Sequence, residues 1–115
     1  MGGTALDVQT NRLSDAEFNV AKARVAEHVQ SKFPDAVFHF VQPYRAKASH
    51  GDMDVLFRQD TVPRTKLRES FEPEEMFNNG RVTSLDYDAE GDTPTFQLDL
   101  VFMRPEWWDV AKAFH

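Results

Sequence analysis

The stretch Ser49-His50-Gly51-Asp52-Met53-Asp54-Val55-Leu56-Phe57 sets two carboxylates two residues apart, after a glycine and at the head of an apolar run. If residues 52–57 form a strand, their side chains alternate between its two faces. Asp52 and Asp54 then share one face, while Met53, Val55 and Phe57 enter the core from the other. Neighbouring carboxylates repel, and a strand gains nothing structural from that. A divalent cation between them would remove the repulsion, because hard cations such as Mg²⁺ take oxygen ligands. Alone, such a pair reads more simply as an exposed strand edge. A third carboxylate changes the weighting. Across residues 95–103, Phe96, Leu98, Leu100 and Phe102 alternate with Gln97, Asp99 and Val101. Asp99 therefore projects mid-strand from the face opposite the apolar row. If the two strands are neighbours with polar faces aligned, Asp52, Asp54 and Asp99 converge. That arrangement suits a two-metal site, with ions about 3.5–4 Å apart on the attacking and leaving oxygens of a phosphoryl displacement.

The remaining elements must hold those two strands. Ser14-Asp15-Ala16-Glu17 matches a capping box, with Ser14 as N-cap and Glu17 three residues on. Phe18, Ala21, Val25, Val29 and Phe33 follow at roughly helical spacing, predicting an amphipathic helix over 15–32 that ends at Pro34-Asp35. Lys22, Arg24, Glu27 and Lys32 would form its solvated side. Residues 1–11 read as a polar, mobile lead-in or short strand. A short strand is expected over 37–41, then a loop over 42–47 leading to the strand at 52. Residues 58–70 look charged and irregular, broken by Pro63. Pro73 to Phe77 reads as a short helix with proline in its first turn, stopped by Asn78-Asn79-Gly80. Strands over 81–87 and 95–103 should form a hairpin. Arg104-Pro105-Glu106 then opens a helix carrying Trp107, Trp108, Val110, Ala111 and Phe114, in which one tryptophan is expected to be buried. The fold class is α+β: a small mixed or antiparallel sheet of four or five strands, with both longer helices packed on one face and the carboxylates on the other.

Bulk composition narrows the function classes. At 115 residues the chain reads as a single domain, 41% hydrophobic and 28% charged, which argues against disorder. It has no cysteine, which removes disulfides and thiolate zinc sites. No apolar run approaches the ~20 residues of a membrane span, and no signal peptide is visible, so no membrane partner and a cytoplasmic location are expected. The net charge of −6 argues against strong nonspecific duplex DNA binding. It permits a local basic rim, since Arg45, Lys47, Arg58, Arg64, Lys66 and Arg68 fall close together, although a solvated charged loop is the plainer reading. His50 reads as a solvated loop histidine. His28, His39 and His115 have no metal-ligand spacing among themselves.

Together, Gly51-Asp52-Met53-Asp54-Val55-Leu56 and Gln97-Leu98-Asp99-Leu100-Val101 resemble the palm of the DNA polymerase beta type nucleotidyltransferase superfamily. The resemblance is closest to the family X DNA polymerases, whose palm carries a nearly identical G-D-M-D-V-L segment, and it covers roughly residues 37–108. It implies that Asp52 and Asp54 ligate two Mg²⁺ (or Mn²⁺) ions, one arriving with a nucleoside triphosphate. Asp99 would complete the second ion's shell and orient or deprotonate the attacking hydroxyl. Gln42, Arg45 and Gly51 are the implied nucleotide-binding residues, Arg45 matching a family arginine that contacts the triphosphate. The family places Gly-Ser where this chain has Val41-Gln42. Gln42 retains a hydrogen-bond donor, but Val41 removes the glycine that lets backbone approach phosphate closely. The implied activity is metal-dependent nucleotidyl transfer from a nucleoside triphosphate to a hydroxyl acceptor, with a nucleic acid 3′ end favoured. Two alternatives stay open: a catalytically silent binding module of this type, and a minimal nucleotidyltransferase that modifies a protein. The last helix reaches His115 without a stop signal, so a partner chain or additional domain could supply further nucleotide-gripping surface.

Overall fold

The computed structural model describes residues 6–42 and 49–114 and shows an α+β architecture. Helix α1 (Asp15–Lys32) begins where the capping box places it. The Glu17 amide donates to Ser14 Oγ at 3.1 Å, and the Ser14 amide donates to Glu17 Oε1 at 2.8 Å. Both contacts satisfy amides that have no partner inside the helix. Phe18, Ala21, Val25 and Val29 form its buried stripe, and Phe33 caps the C-terminal end.

Five strands make one mixed sheet: β2 (Phe38–Phe40), β4 (Asp52–Arg58), β5 (Met76–Asn79), β6 (Val82–Tyr87) and β7 (Phe96–Met103). Their spatial order is β2-β4-β7-β6-β5. The central pair, β4 and β7, runs parallel, and the other pairings are antiparallel. A separate two-residue pairing joins β1 (Leu13–Ser14) to β3 (Ser49–His50) and ties the approach to β4 to the start of α1. Arg12 reinforces it by donating from Nε to Ser49 Oγ at 2.9 Å.

Alternation along the two central strands divides the protein. Met53, Val55, Phe57, Leu98, Leu100 and Phe102 are each at most 1% exposed and pack beneath α1 with Phe18, Ala21, Val25 and Val29. Lys22 lies over the Phe40 ring, 5.4 Å from its centroid. Arg24 pairs with Glu90 and Asp92 at 3.4 Å each, so these two cations reach toward the sheet and loops rather than standing free. Glu27 and Lys32 are exposed, as the helical pattern indicated.

Three expectations need correction. Residues 73–77 do not form a helix: Met76–Asn79 is edge strand β5, paired with β6 through a two-residue loop. Gly80 at φ +61° opens that loop, the backbone sign that a tight hairpin of the II′ kind needs at its first central position. Gly80 suits both a helix stop and the first central position of such a hairpin, and pairing with β6 decides between them. Meanwhile Asp86 accepts the Glu74 and Glu75 amides at 3.2 and 2.8 Å, holding the segment extended. Second, the charged stretch after β4 is more regular than expected. It contains 3-10 turns at Gln59–Thr61 and Arg64–Lys66 and a short helix, α2 (Leu67–Phe71), anchored by the buried Leu67. Third, the C-terminal helix α3 (Trp108–Ala113) is not on the α1 side. Trp108 and Ala111 pack with Leu56, Val101 and Met103, whose alternation points them to the opposite face. Trp108 is buried and Trp107 is 52% exposed, so one tryptophan is indeed covered.

The lead-in is docked from Leu6 onward. Glu75 accepts the Asp7 and Val8 amides, and the Asn11 amide donates to Thr95 O at 2.9 Å. Among the described residues, no helix is long and apolar enough to cross a membrane.

Candidate metal centre

Parallel pairing sets Asp54 opposite Asp99 and Asp52 opposite Gln97, in a register that runs unbroken to Arg58 and Met103. Residues side by side in neighbouring strands share a face, with backbones about 4.8 Å apart. One carboxylate oxygen from each of Asp52, Asp54 and Asp99 lies within 4.8 Å of the others. Among the described residues, no other group of three His, Asp or Glu side chains is so arranged. The convergence expected from sequence is thus present, and it comes from a parallel ladder whose paired residues, such as Asp54 and Asp99, lie 45 apart in the chain, rather than from local chain geometry.

Asp52 and Asp54 are half-buried, and Asp99 is 9% exposed. Asp99 is held from two directions. Ser84, its register partner on β6, donates from Oγ to Asp99 Oδ1 at 2.6 Å. Gln97, two residues earlier on β7, donates from Nε2 to the same oxygen at 2.9 Å. Ser84 and Gln97 are themselves 4% and 3% exposed. Neither had a role in the sequence reading. Alternation alone puts Gln97 on the face of Asp99, a signal that was available. Ser84 needs the register between β6 and β7, which an eight-residue connection leaves undetermined.

The approach to the carboxylates is braced by His50. It is 4% exposed rather than solvated, its ring lies 4.2 Å from that of Phe18, and its Nε2 is 2.8 Å from Asp15 Oδ1. It anchors the segment before Gly51 to the first turn of α1. Gly51 forms the half-buried bend between β3 and β4. On the other side, the Val41 amide donates to Asp54 O at 3.0 Å, so Val41 flanks Asp54. The Val41 side chain joins the Trp108–Leu56 cluster, and Gln42 is exposed. Arg45 lies outside the described residues. His39 sits opposite Leu56 on the carboxylate side of the sheet.

The basic residues after β4 are largely committed to structure. Arg58 donates to Asp60 at 2.9 Å. Arg64 donates to Gly80 O at 2.9 Å and Thr83 Oγ1 at 2.8 Å, with its guanidinium 4.7 Å from the Phe102 ring centroid. Lys66 pairs with Glu69. A larger open cavity of about 750 Å³ lies elsewhere, lined by Arg24, His28, Phe71, Asp86 and Tyr87 among others. His28 is built into its wall, stacked on Phe71 and 2.7 Å from Ser70 O. None of the three clustered aspartates lines that cavity.

No protein-family model matches the chain, and comparison with curated proteins gives no match.

Proposed function

We propose that this protein is a divalent-metal-dependent nucleotidyltransferase that moves a nucleoside monophosphate from a nucleoside triphosphate to a hydroxyl, with a nucleic acid 3′ end as acceptor. The observation that carries the reading is the approach of Asp52, Asp54 and Asp99 to within 4.8 Å across the parallel β4–β7 ladder. Three carboxylates so close repel by on the order of 1 kcal/mol per pair even in water, and more where partly buried. An all-oxygen anionic donor set fits Mg²⁺ or Mn²⁺. Bound there, such a cation would neutralise charge on phosphoryl oxygens and favour ionisation of an attacking hydroxyl. Asp52, Asp54 and Asp99 are the holding residues, and Asp99, fixed through Oδ1, would also orient the acceptor hydroxyl. Catalysis of this kind rests on positioning and on charge already in place. Gly51, which precedes Asp52, would meet the triphosphate, with Gln42 and Arg45 as further contacts. Nucleoside triphosphates as substrate fit a cytoplasmic protein.

A catalytically silent nucleotide-binding module is the second reading, favoured by one observation. The Val41 amide is already spent on Asp54 O, so it is not available to a phosphate. Transfer of label from a nucleoside triphosphate to a primed oligonucleotide in Mg²⁺ separates the two. Transfer by the wild type and its loss in Asp52→Ala and Asp54→Ala supports the enzyme. Metal-dependent nucleotide binding without transfer supports the silent module, and absence of both sinks the site.

A further inference from the structure

We propose that Ser84 is a positioning residue: it fixes the orientation of the Asp99 carboxylate beside the Asp52–Asp54 pair. The inference rests on reading the three aspartates as a cation site. A strand aspartate can turn about two side-chain bonds, and one hydrogen bond leaves the carboxylate plane free to swing about the bonded oxygen. Here two donors from two strands meet at Oδ1, Ser84 at 2.6 Å and Gln97 at 2.9 Å, and all three residues are at most 9% exposed. Burial prevents water from replacing either donor. The two are not equivalent. Gln97 reaches Asp99 through three rotatable bonds, whereas the Ser84 hydroxyl is one bond from a backbone already registered to Asp99 by the β6–β7 ladder. The shorter contact and the stiffer arm both belong to Ser84. Hydrogen bonds to a charged acceptor are also the stronger kind. Occupying one oxygen with two neutral donors prevents both carboxylate oxygens from wrapping one ion, leaving a monodentate ligand beside Asp54.

The test is Mn²⁺ titration of the full chain by calorimetry, without nucleotide, on wild type, Ser84→Ala, Ser84→Thr and Asp54→Ala. Outer hydrogen-bond partners of metal ligands typically change affinity by 10–100-fold, so Ser84→Ala should bind about tenfold more weakly. Ser84→Thr, which keeps the hydroxyl and suits a strand, should restore wild-type affinity; a purely space-filling role for Ser84 would not give that recovery. If Ser84→Ala is unfolded at the titration temperature, Ser84→Cys, a similar volume with a weaker donor, carries the same comparison. Wild-type affinity in Ser84→Ala alongside lost binding in Asp54→Ala overturns the positioning role and leaves the cation site standing. A wild type that binds no Mn²⁺ overturns both.

Discussion

The two faces of the central strands are made from alternate residues of the same segments, yet they face opposite demands. On the α1 side, Met53, Val55, Phe57, Leu98, Leu100 and Phe102 are almost fully buried and close-packed. On the other side, Asp52, Asp54 and Asp99 are crowded together, with Ser84 and Gln97 bracing one of them. The first arrangement lowers the free energy of the folded chain through burial. The second sets like charges side by side, which opposes folding except where hydrogen bonds or a cation offset the repulsion. A one-residue slip of β4 against β7 would exchange the faces, so the core that stabilises the sheet also fixes the register of the carboxylates. The packed core and the carboxylate cluster are thus separable by single substitutions one residue apart.

Asp54→Ala should break that separation most completely. Divalent-cation binding is expected to disappear, while the thermal midpoint in chelator stays at or above the wild-type value, because one of three repelling charges is gone. Scanning calorimetry with and without Mn²⁺ checks both halves. A large loss of stability would mean that Asp54 is structural.

Its β7 neighbour on the opposite face should behave in the reverse way. Leu100→Ala removes a fully buried side chain and should cost about 2–5 kcal/mol in denaturant unfolding. At temperatures where the variant remains folded, its cation affinity should be close to wild type.

Ser14→Ala removes the cap of α1 and should cost about 1 kcal/mol without altering cation binding. A loss well above that range would show that the β1–β3 pairing depends on the cap.

The smallest expected effect lies at high pH. Burial pushes the Tyr87 phenol above its ordinary 10.0, with Arg24 partly opposing the shift. The folded chain then holds that proton more tightly than the unfolded chain. Its contribution is fully present below about pH 10 and is lost as the pH rises through the folded value. Tyr87→Phe should therefore flatten the fall in stability above pH 10, measured by denaturant midpoints across pH 8–11.

Much of this was legible from local pattern. The capping box and helical spacing of α1 are short-range signals, and the helix occurs over the residues they mark. Period-two alternation placed Asp99 opposite the apolar row of β7 without knowledge of its neighbours. What was not legible depends on partners distant in sequence. Asn78-Asn79-Gly80 suits a helix stop and a hairpin equally well until β6 is there to pair. The side taken by α3 follows from Leu56 and Val101 offering apolar area on the carboxylate face, an exception to the polar pattern of that face. His50 looks like a loop residue until Phe18 and Asp15 are brought against it by the β1–β3 pairing. Ser84 acquires meaning only from register.

The most direct test of the central claim is a calorimetric titration of Mg²⁺ and Mn²⁺ into the wild type and Asp54→Ala, each with and without a nucleoside triphosphate. Binding by the wild type that tightens with nucleotide and is absent from Asp54→Ala is the expected result. Absence of binding in both proteins, or equal binding in both, would contradict it.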